Sequence, residues 1–234
     1  MILGIMGGMG PAATCDIYNK IIQLTPATCD QEHLHIIIDS NSKIPDRTRY
    51  ICGDGEDPRV EMVRSAIKLE MMGADYIIIP CNTAHNFYDD IVKYTKAKVL
   101  HMIRETASFL KKTKPEEKDY LLLATAGTCK SGIYKKVFRE FDLNIIEPDE
   151  DDISVVMNWI YSVKSGQFNV TSEEFQNYVS KYMQNKEIPI ILGCTELPLL
   201  ADNIGIRSKC IDPVSILAKR CVEIYQEHVG ESNI

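Results

Sequence analysis

Short apolar runs alternate with helical segments along the chain, and this alternation constrains the fold more than any other sequence feature. Residues 2–6 form an apolar run that ends in a glycine-rich turn, and Pro11 then opens a helical segment. Residues 77–79 and 188–192 are similar runs, rich in the β-branched residues of strands buried on both faces. Strands joined through single helices form parallel sheets. The sequence therefore predicts an α/β fold with parallel sheets flanked by helices.

Local patterns extend this prediction. We predict a strand over residues 99–103, a helix over residues 84–94, and a loop that carries Arg47 after an early strand. The pair Thr171 and Glu174 has the spacing of a capping box, which predicts the start of another helix.

The two halves of the chain repeat one pattern. Each begins with a strand and a turn of small residues, and each contains an apolar strand that ends in a cysteine, Cys81 or Cys194. We therefore predict two pseudo-symmetric α/β domains, residues 1–99 with 207–234 and residues 100–206. Because ligands of such sheets bind beyond the carboxyl ends of the strands, the predicted active site lies in the cleft between the domains.

Charge and cysteine usage exclude several classes of protein. The formal net charge of −7 argues against binding to nucleic acid or to a membrane surface, which needs clustered lysine and arginine. No apolar run approaches the roughly 18 residues of a membrane span, and the first ten residues lack the pattern of a secretion signal. The eight cysteines include no Cys-x-x-Cys pair. We expect a cytoplasmic protein with reduced thiols.

Two of the eight cysteines stand in matched contexts. Cys81 follows an apolar strand and precedes Asn82, Thr83 and a helical segment, and Cys194 precedes Thr195 in the same way. Because a helix N-terminus stabilises a thiolate, we predict a lowered pKa for both thiols. Either cysteine alone is more simply a buried structural thiol, but the pair favours a function. The other six cysteines are expected in the core.

A pair of thiols suits the inversion of a stereocentre without a cofactor. One thiolate removes the α-proton of an amino acid, and a thiol delivers another proton to the opposite face. The site must also neutralise the substrate carboxylate. Candidate donors are the turn of Thr125, Gly127 and Thr128, together with Arg47 and Lys164. From their context alone, Arg47 is more simply a surface arginine, and Lys164 a favourable charge at a helix C-terminus.

Metal and dinucleotide sites are not predicted. His85 stands four residues after Cys81, a spacing that zinc tolerates, but no third and fourth ligand are evident nearby. We expect His85 to face a helix flank or to tune the thiol. The turn at residues 7–10 lacks the G-x-G-x-x-G spacing of dinucleotide-binding proteins.

Four segments together resemble the aspartate racemase branch of the aspartate/glutamate racemase superfamily. They are GGMGP at residues 7–11, IPDRT at 44–48, PCNTAH at 80–85 and GCTE at 193–196. The resemblance covers essentially the whole chain. The IPDRT and PCNTAH segments favour the aspartate branch over the glutamate racemases.

The resemblance implies functional residues. Cys81 and Cys194 would be the catalytic pair, and Arg47 and Lys164 would bind the acidic groups of the substrate. The substrate-binding residues expected from it are Met9, Arg47, Asn82, Thr83, Thr125, Thr128, Lys164 and Thr195. It also implies a homodimer without pyridoxal phosphate or metal.

We therefore predict a cofactor-independent racemase that interconverts L- and D-aspartate. One alternative is a glutamate or broader acidic amino-acid racemase, since a single methylene is worth only about 1–3 kcal/mol of discrimination. Others are a cysteine-dependent isomerase or amidase of dicarboxylic acids, and a non-catalytic binder of acidic amino acids.

Overall fold

The computed structural model describes residues 1–183 and 187–232, which form two parallel sheets flanked by helices. The strands are β1 (Ile2–Gly7), β2 (His35–Ser40), β3 (Tyr76–Ile78), β4 (Lys98–Leu100), β5 (Asp119–Ala124), β6 (Asn144–Ile146), β7 (Ile190–Gly193) and β8 (Cys210–Ile211). The α-helices are α1 (Pro11–Leu24), α2 (Arg47–Cys52), α3 (Arg59–Met71), α4 (Tyr88–Ile91), α5 (Met102–Thr113), α6 (Ala126–Ser131), α7 (Ile133–Arg139), α8 (Glu150–Lys164), α9 (Ser172–Ser180), α10 (Leu197–Asn203) and α11 (Pro213–Ser232).

The two sheets have the same strand order. The first runs β2-β1-β3-β4 and the second β6-β5-β7-β8, with all neighbours parallel. In each sheet the central pair is therefore the first and third strand of its half. This confirms the predicted α/β class and the pseudo-symmetry of the two halves.

The central strands are buried because helices cover both faces of each sheet. In the first sheet, Leu3 and Ile5 pack toward α1 and α11, whereas Met6 and Ile77 pack toward α3. The apolar runs of the central strands supply side chains to both faces, as expected for parallel sheets.

The last part of the chain contributes to both halves. Helix α11 packs against α1 and α5, and Leu217 and Cys221 belong to the core on the first sheet. Strand β8, just before it, pairs with β7 in the second sheet. The domain limits stay a prediction, and residues 233–234 of the predicted first domain lie outside the described residues.

Three local expectations have clear outcomes. The capping box of Thr171 and Glu174 is present at the start of α9. The strand predicted over residues 99–103 is wrong beyond Leu100, because the His101 side chain accepts a hydrogen bond from Arg104 N and caps α5. The predicted helix over residues 84–94 is divided into the 3₁₀ turn Thr83–Phe87, α4 and the 3₁₀ turn Val92–Tyr94.

No helix within the described residues is long and apolar enough to cross a membrane.

Candidate active site

The predicted catalytic cysteines lie at equivalent ends of the two sheets. Cys81 lies just beyond β3, and Cys194 directly follows β7, the equivalent strand of the second half. Both are buried, with 7% of Cys81 and 8% of Cys194 exposed. The structure thus places both at the carboxyl ends of strands, where the sequence predicts them.

A cluster of threonine hydroxyls joins the Cys81 segment to the second half. Thr83 Oγ1 lies 3.1 Å from Thr125 Oγ1 and 2.8 Å from Thr128 Oγ1. Thr48 Oγ1, from α2, donates to Thr125 Oγ1 at 3.2 Å. Thr125 also caps α6, since its hydroxyl accepts a hydrogen bond from Thr128 N. The predicted residues Thr83, Thr125 and Thr128 therefore meet in one cluster.

Asn82 connects to the second half through a buried tyrosine. Tyr134 Oη donates to Asn82 Oδ1 at 2.5 Å, and burial raises the pKa of Tyr134 well above its usual value. Asn82 Nδ2 is also buried, but finds no hydrogen-bond partner among the described residues. The tyrosine therefore fixes the orientation of the Asn82 side-chain amide, and the N–H groups of that amide stay available for a ligand.

Arg47 is held by backbone carbonyls. Its Nη1 donates to Ile44 O and Pro45 O, and its Nη2 donates to Met9 O at 3.3 Å. Its Nε is buried and finds no partner in the described part of the chain. The loop predicted to carry it is wrong: Arg47 begins α2, because Asp46 caps that helix by accepting a hydrogen bond from Arg49 N. The structure thus brings Met9 and Arg47 into contact.

Lys164 ends α8, as predicted, and lies beside the cysteines. Its Nζ is 3.8 Å from Glu196 Oε1. Burial opposes the charge of Lys164, but Glu196, followed by Cys194, raises the pKa of the ammonium group above its usual value.

Cys194 is held as a thiol by a carboxylate. Its Sγ donates to Glu196 Oε2 at 2.9 Å, and Thr195 Oγ1 donates to the same oxygen at 3.2 Å. Burial, and then the charge of Glu196, raises the pKa of Cys194 well above its usual value. The lowered pKa predicted for this thiol is therefore wrong, because desolvation and a neighbouring anion outweigh the helix N-terminus.

Sequence reasoning missed three contacts of this site. Glu196 belongs to the GCTE segment at residues 193–196. Its position two residues after Cys194 is a local signal that could have indicated a contact with the thiol. Tyr134 resembles any core aromatic residue in sequence. Met157 of α8 accepts a hydrogen bond from Ala126 N through its sulfur, at 3.2 Å. Neither Tyr134 nor Met157 carries a local signal, because both contacts arise from packing between distant segments.

Only some of the other cysteines are in the core. Cys129 and Cys221 are buried and Cys210 is partly buried, but Cys15, Cys29 and Cys52 are exposed, which corrects the core placement expected for them.

Both ring nitrogens of His85 are occupied by backbone groups, Cys81 O and Met102 N. No group of three or more histidine, cysteine, aspartate or glutamate side chains suited to a metal occurs among residues 1–183 and 187–232. The expectation of a site without metal or cofactor stays a prediction.

Chemically, the site combines two buried thiols with cations and unpaired N–H donors. Such thiols can exchange protons with a bound molecule, and the donors suit carboxylate groups. The groups converge from both sheets, so the site needs both halves of the chain.

Comparison with known proteins identifies the family of the chain. The family model for Asp/Glu/Hydantoin racemase matches residues 6–221. The broad specificity amino-acid racemase RacX of Bacillus subtilis is 31% identical over 229 residues, which cover 96% of this chain and 98% of RacX.

Solved structures give the same result. An aspartate racemase of Picrophilus torridus is 31% identical with a TM-score of 0.75, over 95% of this chain and 94% of that one. An aspartate racemase homologue of Pyrococcus horikoshii is 25% identical with a TM-score of 0.75, over 95% and 97% of the two chains. The resemblance drawn from the four sequence motifs is thereby confirmed. The chain belongs to the Asp/Glu/Hydantoin racemase family.

Proposed function

We propose that this protein is a cofactor-independent racemase of acidic amino acids, with aspartate as its preferred substrate and Cys81 and Cys194 as its two bases. One observation carries the proposal. The two thiols lie at equivalent strand ends of the two sheets, and Glu196, which accepts a hydrogen bond from Cys194, also pairs with the Lys164 ammonium group. A non-catalytic binder of an anion has no need of paired buried thiols.

The two thiols hold opposite roles in each direction of the reaction. In one direction the Cys81 thiolate takes the α-proton, and Cys194, which is protonated, delivers a proton to the other face of the carbanion. In the reverse direction the two thiols exchange roles: Cys81 takes a proton from solvent, and Cys194 gives its proton to Glu196 Oε2, which lies 2.9 Å from its sulfur. Each cycle leaves the α-carbon with one proton, so no cofactor is consumed.

The preference for an acidic substrate rests on the donors around the thiols. Asn82 Nδ2 and Arg47 Nε are buried N–H donors without a partner among the described residues. Lys164 adds a charged donor next to Cys194. Carboxylates satisfy such donors through charge-assisted hydrogen bonds, and neutralising the α-carboxylate stabilises the carbanion. Aspartate supplies two carboxylates for these groups.

A broader substrate range is the second candidate. The relative from Bacillus subtilis is named as a broad specificity amino-acid racemase, and the relative from Picrophilus torridus as an aspartate racemase, at the same identity of 31%. Glutamate differs from aspartate by a single methylene, which is worth only about 1–3 kcal/mol of discrimination. Glutamate should therefore be the next best substrate.

The proposal is tested by incubating the purified protein with L-aspartate, L-glutamate and L-alanine separately in deuterated water. We expect D-aspartate with deuterium at the α-carbon, and less product from glutamate than from aspartate. Cys81→Ala and Cys194→Ala should each abolish racemisation, while exchange of the α-proton survives for one enantiomer in each variant. Cys15→Ala, at an exposed cysteine, is the control and should keep full activity.

Several results would contradict the proposal. Full racemisation in either single variant would exclude the two-thiol mechanism. A covalent adduct with substrate, seen by mass spectrometry, would indicate a nucleophilic amidase. Binding of aspartate without any deuterium exchange would indicate a binding protein.

The proposal includes a cytoplasmic homodimer that has no nucleic-acid or membrane partner and needs neither pyridoxal phosphate nor metal. These points are supported by the resemblance to the family. Light scattering after size-exclusion chromatography tests the dimer. Activity should persist after treatment with a chelator and with hydroxylamine, and its loss would contradict the absence of a metal or pyridoxal phosphate.

A further inference from the structure

His85 joins two backbone groups next to the first predicted base. Its Nδ1 lies 2.9 Å from Cys81 O, and Met102 N donates to its Nε2 at 3.0 Å. The side chain is only 1% exposed. Both polar atoms of the ring are therefore used inside the protein, and neither is available to a substrate or to solvent.

These partners fix the protonation of the ring. An amide N–H can only donate, so Nε2 carries no proton, and a carbonyl can only accept, so Nδ1 carries one. Burial, together with the neighbouring His101, lowers the pKa of His85 to about 3. The ring is thus neutral with a single tautomer, which excludes a role as a proton carrier near neutral pH.

The hydrogen bond at Nδ1 acts on a particular peptide group. The Cys81 carbonyl belongs to the peptide that links Cys81 to Asn82, so its orientation sets the direction of both side chains. On the other side, Met102 N is one of the first N–H groups of α5, which has no partner within the helix. The ring therefore ties this peptide to the start of α5.

The ring itself is supported by a row of two further rings. The His101 ring lies 4.8 Å from the His85 ring, and the Tyr88 ring lies 4.7 Å from that of His101, between ring centroids. Tyr88 Oη donates to Val99 O, which fastens this stack to β4. The imidazole is consequently held by rigid elements of the first sheet, as a support of fixed position requires.

We propose that His85 is a positioning residue for Cys81, which holds the Cys81–Asn82 peptide so that the thiol and the Asn82 amide point into the site together. The role in racemisation rests on the proposed function. The positioning itself does not, and it is tested through the reactivity of the thiol.

Two substitutions separate the two hydrogen bonds. In His85→Asn, the amide nitrogen takes the place of Nδ1 and still donates to Cys81 O, but nothing accepts from Met102 N. In His85→Gln, the amide oxygen takes the place of Nε2 and still accepts from Met102 N, but Cys81 O loses its donor. Each variant removes one buried hydrogen bond, so their losses of stability are matched.

The first measurement is alkylation by iodoacetamide, with each cysteine followed by mass spectrometry. In His85→Gln the freed peptide exposes the Cys81 thiol, and we expect its alkylation to rise about tenfold over the wild-type rate. The buried cysteines Cys194 and Cys221 should keep their rates. In His85→Asn all three rates should stay within about twofold of the wild type. A general loosening of the fold would instead raise all three together.

The second measurement is racemisation. A reacting group displaced by about 1 Å can cost about 100-fold in rate, so kcat of His85→Gln should fall about 100-fold. Because the freed peptide also carries Asn82, a proposed donor to the substrate carboxylate, KM should rise in the same variant. His85→Asn should restore kcat to within about threefold of the wild type. His85→Gln is thus expected to show faster alkylation of Cys81 and slower racemisation than the wild type.

Equal behaviour of the two variants, in alkylation of Cys81 and in kcat, would overturn the proposal and leave His85 as a core residue. A wild-type rate at Cys81 in His85→Gln would overturn it too. The wild-type protein could racemise no amino acid while alkylation of Cys81 rises in His85→Gln alone. In that case the positioning role stands and the proposed function fails.

Discussion

Glu196 touches both a thiol and an ammonium group. It accepts a hydrogen bond from Cys194 at 2.9 Å, and its other oxygen lies 3.8 Å from Lys164 Nζ. A carboxylate so placed keeps the thiol protonated and the lysine charged, because its negative charge disfavours a thiolate and favours an ammonium group. Glu196 therefore adds to the effect of burial in keeping Cys194 protonated.

Glu196→Gln should separate these effects. Removing the charge lowers the pKa of Cys194, so the pH midpoint for alkylation of this thiol should move down. Racemisation in the direction that needs a Cys194 thiolate should nevertheless fall about 100-fold, because the amide cannot take up the proton of Cys194. Glu150→Gln, at an exposed position in the first turn of α8, is the control and should change neither value. An unchanged midpoint at Cys194 would show that burial alone sets its pKa.

At this scale, sequence finds the residues whose signal is local. Cys81, Asn82 and Cys194 follow apolar strands, so their place at the strand ends was predictable. The contact of Tyr134 with Asn82 and the raised pKa of Cys194 were not predictable, because both depend on which distant segments pack together and how much water they exclude.

Among the elements, the turn between β1 and α1 is the most tightly constrained. Gly8 has a φ of +86°, and a Cβ atom there would lie 2.3 Å from the carbonyl carbon of Asn41. Its N–H donates to Thr14 Oγ1 at 2.9 Å, which fastens the turn to α1. The next residue, Met9, accepts from Arg47. The turn therefore supports the arginine, and only glycine fits where the turn meets Asn41.

Gly8→Ala should consequently reduce both stability and substrate binding. The backbone conformation alone costs about 1–2 kcal/mol for a residue with a Cβ, and the overlap with Asn41 adds to it. We expect a lower melting temperature and a raised KM for aspartate. Gly230→Ala in α11, where nothing lies near the added Cβ, should show neither effect. A variant that is destabilised but has an unchanged KM would show that the turn does not support Arg47 in substrate binding.

The start of α9 offers a test of stability alone. Thr171 accepts a hydrogen bond from Glu174 N, and Glu174 accepts from Thr171 N in return. Thr171→Ala should lower the free energy of unfolding by about 1 kcal/mol in urea titrations, without a change in kcat. Ser172→Ala, next to it, removes no capping bond and should have a smaller effect. Equal losses in both variants would contradict the capping role.

Element types were predictable where the residue pattern had one interpretation, as at β1, β7 and α9. The apolar run at residues 99–103 had two interpretations, a strand or a helix. Its first residues extend β4, but Met102 and Ile103 face the core from α5, and an apolar run alone does not distinguish strand from helix. For α2, Asp46 before Arg47 was a signal for a helix start, although the helix is short.

At the scale of the whole molecule, two buried histidines predict a loss of stability in mild acid. Burial, with help from His101, lowers the pKa of His85 to about 3, and burial, with Arg104, lowers the pKa of His101 to about 4. Both pKa values are below the usual 6.5. Between the native and the unfolded pKa of each histidine, the unfolded chain therefore binds more protons than the native protein. The stability that neutral histidines provide is complete above pH 6.5 and is lost as the pH falls toward 4.

Between pH 6.5 and pH 5 we expect the free energy of unfolding to fall by about 1–2 kcal/mol for each of these histidines, in urea titrations followed by circular dichroism. His101→Asn keeps an acceptor for Arg104 N and removes one titrating group. The fall should therefore be about half as large in that variant. A wild-type protein of constant stability over this range would contradict the low pKa values.

The two-fold repeat of the chain was the most informative signal at this scale. Equivalent cysteines predicted equivalent strands, and the two sheets indeed share one strand order. The sheets that β8 and α11 would join could not be predicted from the sequence. Strand β8 joins the second sheet and α11 covers the first, and no periodicity in the sequence indicates which core a terminal amphipathic helix will join.

The position of α11 has a consequence for the order in which the chain folds on the ribosome. The apolar surface of β1 and α1 around Leu3 and Ile17 is covered by Leu217 and Cys221. Synthesis must therefore produce the entire second sheet before the first core can be closed. The strands of the second sheet, in contrast, lie together between residues 119 and 211. The half that is made first is thus the half that is finished last, and its early strands wait for a helix that is translated after the whole second sheet.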